Sequence, residues 1–411
     1  MAVVLQVQVS LFAQGDYLGL RIGLGDLFLP FIGVFVLHSL ARRKSRWPDW
    51  SVRSLWYWLG ALVLVLSASL FNGWIVTGSL SGWALINKYL GFFILVGYLA
   101  LGGWIATNTQ DMFGLLSRFA SCFCAFFIVC IGISVVGFLM RVVFAIELGI
   151  GGYQWEGFMA NRNAFMLVFI LSMLFVMYSY RDDNFNMPQV ICDGFWVCFP
   201  VFFLYNGSRT GVILSVILCL VFLGFSFNKN YLRRVLVAFL VGGLITGLCY
   251  HVNDNKHIAR VYHVKRLVTL AVGGVDTSKY DSDKKRFIAV EDGLELYQRY
   301  DPIVGAGLGT YKPFQIEKRG EFVEVIDFTA LWLLTEMGVS GLFVFSAFFI
   351  VCAASLYQNG YKPQGSSYHR AVFVFLILFA GMTLLHELMY TRILWFIMGL
   401  ALVSGRDEVR D

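Results

Sequence analysis

Long apolar runs alternate with short polar connections along the whole chain. The runs are about 17–25 residues long, which is the length a helix needs to cross a hydrocarbon core of about 30 Å. Lipid satisfies no backbone polar group and the runs are too long for barrel strands, so each is expected to be a helix. We predict an all-α bundle of eleven or twelve transmembrane helices, with spans at 18–40, 54–72, 82–106, 116–140, 163–180, 189–206, 211–228, 235–251, 339–357, 371–387 and 389–404, and a short apolar piece at 2–14 as the twelfth candidate.

One long polar interruption, 252–326, breaks this pattern late in the sequence. Within it, 283–300 has the spacing of an amphipathic helix that ends at Asp301-Pro302. Its apolar face is expected to lie against the membrane domain. The face consists of Phe287, Val290, Leu294 and Tyr297. The chain is therefore expected to comprise an N-terminal transmembrane bundle (1–251), a partly helical loop (252–326) and C-terminal transmembrane helices (327–411).

Composition agrees with a membrane protein and excludes a soluble fold. Hydrophobic residues make up 58% of the chain and charged residues 14%, so lipid must replace water over much of the surface. The formal net charge of +6 arises in short loops, where it orients helices, and nucleic acid is not an expected partner. The eight cysteines lie in apolar stretches, which indicates neither a disulfide framework nor a zinc site.

Basic residues in the short connections orient the bundle. Arg42, Arg43 and Lys44 follow the first full span, and further basic residues precede the spans at 235 and 371. The positive-inside rule places these connections in the cytoplasm. The regions then expected on the outer face are 73–81, 141–162, 207–210, 252–326 and the turn near 388.

Polar residues gather on that outer face. Asn161-Arg162-Asn163 opens the fifth span, and Ser208 and Arg209 lie in a tight turn between two spans. Arg209, beside hydroxyls and backbone N–H groups at a helix start, could form an anion site suited to phosphate, with Arg162 as a second cation. The alternative is that both arginines are ordinary interfacial residues whose guanidinium groups extend to water.

Three glycines, Gly305, Gly307 and Gly309, follow Pro302 in the loop. No strand precedes them and no phosphate-loop Lys-Ser/Thr follows, so a nucleotide-binding fold is not indicated. We interpret them as a sharp bend or a site of close backbone approach.

Several short motifs, taken in order, resemble the superfamily of O-antigen ligases and Wzy-type O-antigen polymerases, which are bacterial envelope glycosyltransferases. The resemblance covers most of the chain. It is carried by Gly157 through Asn163, by Ser208-Arg209-Thr210-Gly211, by the stretch from Arg286 through Leu294 to Pro302 and Gly305-Ala306-Gly307, and by Leu331-Trp332-Leu333-Leu334-Thr335-Glu336-Met337-Gly338-Val339-Ser340-Gly341.

The resemblance implies a GT-C-like bundle in the bacterial inner membrane, with an active site that faces the periplasm. The implied substrate is a glycan linked to undecaprenyl diphosphate, and a chain-length regulator protein is a candidate partner. Arg162, Arg209 and Arg286 would bind the diphosphate and stabilise its charge as it leaves, with Asn163 and Ser208 as neighbouring substrate-binding groups. No cofactor and no metal are expected.

One motif departs from the ligases, which have a His-Asn pair before the Leu-x-x-Leu-x-Glu-x-Gly-x-x-Gly segment, where this chain has Asp327 and Phe328. Asp327 could still act as the general base, because a half-buried carboxylate should have a raised pKa. Equally, it could be a solvated carboxylate that caps a helix. His386 is the other candidate base; the alternative is that it only satisfies a neighbouring helix.

The missing His-Asn pair favours a polymerase of lipid-linked repeat units for a surface polysaccharide such as O-antigen, capsule or exopolysaccharide. The main alternative is a ligase that transfers the finished glycan to lipid A core. A polysaccharide transporter or flippase is a third hypothesis, but such proteins often show paired repeats with broken helices at the bilayer midplane, and the sequence has no such pair.

Overall fold

The structure, a computed structural model, describes residues 1–10, 21–144, 146, 157–159, 161–181, 185–206, 208–225, 229–254, 281–362 and 366–403. Thirteen α-helices fall within these ranges. They are α1 (Leu24–Ala41), α2 (Leu55–Thr77), α3 (Gly91–Asn108), α4 (Met112–Phe144), α5 (Arg162–Ser179), α6 (Gln189–Tyr205), α7 (Arg209–Phe225), α8 (Lys229–Asp254), α9 (Asp281–Arg299), α10 (Tyr311–Arg319), α11 (Thr329–Tyr361), α12 (Ser367–Thr383) and α13 (Arg392–Ala401).

Four short elements complete the described secondary structure. A 3₁₀ turn (Val4–Gln6) is followed by the three-residue strands β1 (Gln8–Ser10) and β2 (Arg21–Gly23). A π-helical segment, Ala84–Leu90, leads directly into α3. The apolar piece at 2–14 is therefore not a helix over its described part, and 11–14 lie outside the described residues.

The predicted all-α, multi-pass class is confirmed. Each of the eleven full-length predicted spans overlaps a described helix. Six helices among the described residues are long and apolar enough to cross a membrane. They are Leu24–Ala41, Leu55–Thr77, Ala84–Asn108, Met112–Met140, Arg162–Ser179 and Thr329–Tyr361. The predicted spans near 189, 371 and 389 correspond to shorter apolar helices.

The chain divides into two compact units that interleave in sequence. The first unit consists of Met1–Val9 and Asp111–Asp276, and the second of Ser10–Gln110 and Thr277–Asp411. The predicted division into 1–251, 252–326 and 327–411 follows topology and stays a prediction.

The first unit is organised around α5, which is buried over almost its entire length. Aromatic side chains from α4 and α6 pack on it. The Phe169 and Phe202 rings stack with centroids 4.6 Å apart, and Phe127 meets Phe202 edge to face at 5.3 Å. Such pairs contribute about 0.5–1.5 kcal/mol each beyond the area they bury.

The second unit has a close helix pair, α3 and α13. A Cβ built on Gly102 would lie 2.4 Å from the Phe396 carbonyl oxygen, and one on Gly399 would lie 2.1 Å from the Leu99 carbonyl oxygen. Small residues let membrane helices approach until their backbones touch. Asp26 of α1 braces the same pair, because Arg392 Nη2 donates to Asp26 Oδ2 at 2.6 Å and Tyr98 Oη donates to Asp26 Oδ1 at 3.0 Å.

The helix α11 is broken at Gly338, whose φ of 66° and ψ of −167° are not helical. The part before the break, 329–337, is mostly buried, whereas Val339, Phe343 and Ile350 after it are exposed apolar residues. The predicted span at 339–357 therefore corresponds to the second part alone. The first part lies outside the predicted span, and several of its residues belong to the site described below.

The three loop glycines pack closely against the break in α11, α2 and the start of the π-helical segment, which confirms the prediction of close backbone approach. All three have positive φ values, 77°, 102° and 87° for Gly305, Gly307 and Gly309. A Cβ on Gly305 would lie 2.4 Å from the Gly338 nitrogen, and one on Gly307 would lie 2.2 Å from the Gly73 nitrogen. The loop is thereby fixed to α2 and α11.

The predicted amphipathic helix exists as α9, but its assigned packing face was wrong. Phe287 is 69% exposed and Leu294 45% exposed, whereas Ala289 and Leu296 are buried. The opposite face packs because Gly293 admits Ile326 and Leu331 closely, at 3.2 and 3.3 Å from a built Cβ. A small-residue face allowed closer contact than the larger apolar side chains did.

Candidate functional site

A pocket of about 480 Å³, counted with the open space at its mouth, lies in the second unit. It forms where the loop from 309 to 326 meets the beginning of α11, the turn after α12 and the start of the π-helical segment. Four aromatic residues, two carboxylates and a lysine contribute to its wall. The lining residues are Trp83, Gly309, Tyr311, Lys312, Phe322, Val325, Ile326, Trp332, Glu336 and Glu387.

A buried lysine lies behind this wall. Lys88 sits in the π-helical segment, and its side chain is only 3% exposed. Its ammonium lies 4.2 Å from the centroid of Trp332, 4.7 Å from that of Tyr390 and 4.9 Å from that of Trp83. Each ring presents its electron-rich face to the cation, which replaces part of the lost hydration. Short π-helical segments occur often at functional sites.

The ion pair of Lys88 is made with Glu387, which lines the pocket. Lys88 Nζ donates to Glu387 Oε1, and the Glu387 side chain is 19% exposed. Tyr390 Oη donates to the Lys88 carbonyl oxygen at 2.9 Å, so the turn after α12 is tied to the π-helical segment twice. Glu387 Oε2 accepts no hydrogen bond from the described part of the chain and remains available to a ligand.

Glu336 has a different role, as a buried acceptor for the glycine loop. Its Oε1 accepts from the Gly309 N–H at 3.0 Å, and its Oε2 accepts from the Trp332 indole N–H at 2.8 Å. The Glu336 carbonyl oxygen accepts from Gly307 N–H at 3.0 Å and from the Ser69 hydroxyl at 2.7 Å. Unmet buried donors are costly, so this carboxylate fixes the shape of the pocket floor.

Two residues predicted for the site, Arg286 and Asp327, form an ion pair. Arg286 Nε donates to Asp327 Oδ2 at 2.9 Å, with both side chains about a quarter exposed. Asp327 directly follows Ile326, which lines the pocket. The sequence did not predict that this arginine and this carboxylate are partners.

His386, the other predicted base, is buried at the turn after α12. Its N–H donates to the Met382 carbonyl oxygen at 2.9 Å, and its carbonyl oxygen accepts from the Thr329 hydroxyl at 3.0 Å. The main chain of His386 thus anchors the start of α11. Its neighbour Glu387 is the residue of this turn that lines the pocket.

The loop helices are joined by a second ionic cluster centred on Asp292. This buried carboxylate accepts from Lys318 Nζ at 2.8 Å, from Gln315 Nε2 at 3.0 Å and from Arg319 Nε at 2.7 Å. Burial alone would raise the pKa of Asp292. The hydrogen bonds from Arg319, Lys318 and Gln315 outweigh burial and lower its pKa to about 2. The cluster fastens α9 to α10 beside the pocket.

Neutral polar groups of the first unit form a hydrogen-bonded cluster. Ser208 Oγ donates to Asn163 Oδ1 at 2.9 Å, and the Asn206 amide donates to the Arg162 carbonyl oxygen at 3.1 Å. Asn161 Oδ1 caps α5 by accepting from the N–H groups of Asn163 and Ala164. The tight turn at 207–210 is thereby joined to the start of α5, as the sequence suggested.

The two predicted arginines of this unit each begin a helix. Arg162 is the first residue of α5, and Arg209 is the first residue of α7. The side chain of Arg209 lies outside the described residues, as does part of the quoted motif, at 160 and 207. Both arginines therefore lie at a helix start, where the helix dipole favours an anion, while the N–H groups of Asn163 and Ala164 are already capped by Asn161.

Comparison with known proteins bears on the central part of the chain, which contains the turn at 208–211, the long loop and the broken helix. Residues 194–346 match the family model described as O-antigen ligase. The resemblance to this superfamily is thereby confirmed. A sequence comparison with curated proteins gave no match. The match supports an O-antigen ligase or polymerase type of activity, and the apolar helices fit a multi-pass membrane protein.

The matched segment contains Ser208, Arg209, Arg286 and Asp327 together with Glu336. Other candidate residues, Arg162, Asn163, Lys88, His386 and Glu387, lie outside it. The family match therefore includes candidate residues of the loop and of the turn after α6. The structure adds pocket residues that precede or follow the matched segment.

Lys88 is the site residue that sequence reasoning missed. It is the only charged residue in the predicted span at 82–106. A charge in an apolar run is expensive and is by default a candidate functional residue. That rule would have found Lys88, but its partner Glu387 is 299 positions away and could not be named from the pattern.

Proposed function

We propose that the protein polymerises oligosaccharide repeat units linked to undecaprenyl diphosphate, at the periplasmic face of the bacterial inner membrane. The observation that carries this proposal is the match of 194–346 to the O-antigen ligase family, which includes the turn with Arg209 and the loop with Arg286. The product would be a surface polysaccharide: O-antigen, capsule or exopolysaccharide.

The proposed donor site consists of cations for the diphosphate. Arg162 and Arg209, at the starts of α5 and α7, and Arg286 of α9 would bind its oxygens, with Asn163 and Ser208 as hydrogen-bonding neighbours. Arginine suits this role because its planar donors match phosphate oxygens in pairs. These cations would also stabilise the negative charge that develops on the leaving group, so the transfer would need no metal ion.

The proposed reaction transfers a glycosyl group to a hydroxyl. The acceptor O–H would give its proton to a base, Asp327 or His386, as its oxygen bonds to the anomeric carbon. The bond between that carbon and the diphosphate oxygen would break, and undecaprenyl diphosphate would leave with the electron pair. The ion pair of Asp327 with Arg286 supports a base close to the leaving group, since one residue would bind phosphate beside the other.

A ligase that transfers the glycan to lipid A core is the second candidate, because the matching family model is described as O-antigen ligase. Asp327 and Phe328 occupy the positions where ligases have the His-Asn pair, and this departure favours the polymerase.

A strain that lacks the protein distinguishes the two functions. Lipid A core capped with a single repeat unit would indicate a polymerase, whereas uncapped core with accumulated lipid-linked polymer would indicate a ligase. Arg162→Ala and Arg209→Ala are each expected to reproduce the deletion phenotype while the protein still inserts in the membrane. Normal glycan length in both variants would contradict the diphosphate site.

A further inference from the structure

The geometry points to a sugar-binding subsite in the pocket of the second unit. We infer that one pyranose ring of the glycan packs against Trp83 and Phe322, with a ring hydroxyl donating to Glu387. This inference rests on the proposed function, since it names where that glycan is held. It assigns a role to the pocket, to Glu387 and to Lys88, none of which lies in the donor site proposed above.

The chemistry of the wall fits a sugar better than other ligands of this size. Ligand pockets are mostly apolar, with a few polar groups that fix orientation. Here the half-buried rings of Trp83 and Phe322 provide apolar surface for the C–H face of a pyranose, and Glu387 provides a hydrogen-bond acceptor. A sugar ring presents the same two kinds of surface.

The charges of the pocket argue against a phosphate. The lining residues include one basic residue, Lys312, and two acidic residues, Glu336 and Glu387, so the wall has no excess of basic groups. The ammonium of Lys88 is also covered by rings and paired with Glu387, and therefore cannot serve an incoming anion. A diphosphate needs a net positive site, whereas a neutral hydroxyl needs an acceptor.

The available acceptor is Glu387 Oε2. Its other oxygen, Oε1, is held by Lys88, which itself is fixed by three rings and by the Tyr390 hydrogen bond to its carbonyl. The carboxylate is consequently held in one orientation before a ligand arrives. Such preorganisation reduces the entropy that binding would otherwise cost. Lys88 is thus a positioning residue, and Glu387 a binding residue.

Binding of a phosphate-free oligosaccharide tests the subsite separately from transfer. The probe is the repeat-unit oligosaccharide released from its lipid by mild acid, and binding to the purified protein in nanodiscs is followed by ligand-observed NMR. Trp83→Ala and the double variant Lys88→Met/Glu387→Gln are each expected to weaken binding at least tenfold, by about 1.4 kcal/mol. The double variant removes both charges together, so that neither is left buried and unpaired.

Two matched variants control for general effects. Trp74→Ala removes an exposed tryptophan of the same unit that does not line the pocket. Asp26→Asn disrupts another buried ion pair of this unit, with Arg392, away from the pocket wall. Both are expected to bind the oligosaccharide as the wild type does.

The outcomes separate the two claims. Loss of binding in Trp83→Ala and in the double variant, with both proteins monodisperse and the controls unchanged, supports the subsite. Wild-type binding in either of these variants overturns it, whatever the deletion strain shows. A normal polysaccharide in the deletion strain would instead contradict the proposed function, and it would leave the binding measurement as evidence of a saccharide site with another use.

Discussion

The polar cluster of the first unit is built from neutral groups, whereas the polar groups around the pocket of the second unit are mostly ions. In the first unit, Ser208, Asn163 and Asn206 exchange hydrogen bonds near the starts of two helices. In the second unit, Lys88 with Glu387 and Arg286 with Asp327 form ion pairs. The two clusters therefore differ in what it costs to remove one member.

The difference predicts how much stability each cluster loses when one of its members is substituted. A neutral amide or hydroxyl that loses its partner costs about 1–3 kcal/mol when buried, and less if another partner is near. A buried ion that loses its partner costs several kcal/mol. We expect the first unit to tolerate single substitutions and the second to depend on matched pairs.

The largest effect is expected from Lys88→Met. It leaves the Glu387 carboxylate without its cation in a largely buried place, and should destabilise the second unit by about 3–5 kcal/mol. The double variant Lys88→Met/Glu387→Gln should recover most of that loss. Thermal unfolding of the purified protein in detergent measures both. A single variant as stable as the double would show that the pair behaves like the neutral cluster.

The next largest loss of stability is expected when a side chain is added to a loop glycine that contacts another backbone segment. Gly305→Ala places a Cβ 2.4 Å from the Gly338 nitrogen, at a φ of 77°. Gly320→Ala has a similar φ of 79° but open space around its Cβ. Both should lose about 1–2 kcal/mol to the left-handed conformation, and Gly305→Ala about 1–3 kcal/mol more from the clash. Equal melting temperatures for the two variants would contradict the close packing of Gly305 against α11.

The pH dependence of stability should report the Asp292 cluster. The folded-state pKa of Asp292 is lowered to about 2, so its ion pairs stabilise the fold above the ordinary carboxyl pKa of about 3.9. This contribution of about 2 kcal/mol is lost as pH falls from about 5 towards 2.

Asp292→Asn should therefore flatten the stability profile of the protein between about pH 5 and pH 2. Glu321→Gln, an exposed carboxylate in the same loop, is the control and should leave the profile unchanged. An unaltered slope in Asp292→Asn would mean that other carboxylates dominate acid unfolding.

A smaller loss is expected in the neutral cluster. Ser208→Ala removes the hydrogen bond to Asn163 Oδ1 and should cost about 1 kcal/mol. Ser215→Ala is the matched control in the helix that follows, α7, because the Ser215 hydroxyl donates to the Gly211 carbonyl one turn back and to no other group of the described residues. If Ser208→Ala lost as much stability as Lys88→Met, the proposed difference between the two units would be wrong.

The smallest effect concerns the exposed face of α9. Phe287→Ser should change stability by less than about 0.5 kcal/mol in detergent, because this side chain is 69% exposed. Ala289→Leu, on the buried face, should cost about 1–3 kcal/mol through overpacking. If Phe287→Ser lost more stability than Ala289→Leu, the packing face of α9 would be the one that the sequence predicted.

The helices were predictable because hydrophobic length is a local property. Every long apolar run became a helix, and the glycines after Pro302 indicated close approach before any partner was known. Packing faces were less predictable. In α9 Phe287 and Leu294 are exposed, whereas Leu296 packs on the same side as Ala289 and Gly293, which permit close contact.

The candidate site was predictable where its members are close in sequence or repeat a family motif. Asn163 and Ser208 lie at helix starts on either side of one predicted hairpin, and they do meet. Ion pairs such as Lys88 with Glu387 and Arg392 with Asp26 join residues about 300 or more positions apart. No periodicity encodes such pairs, so only the folded chain reveals them.

Reconstitution tests the central claim most directly. The purified protein in lipid vesicles is supplied with a single repeat unit on undecaprenyl diphosphate, and the products are resolved by size. We predict a ladder of longer lipid-linked glycans with release of undecaprenyl diphosphate, and no ladder with Arg209→Ala. Release that occurs only when lipid A core is added would identify a ligase, and an unchanged substrate under both conditions would contradict glycosyl transfer by this protein.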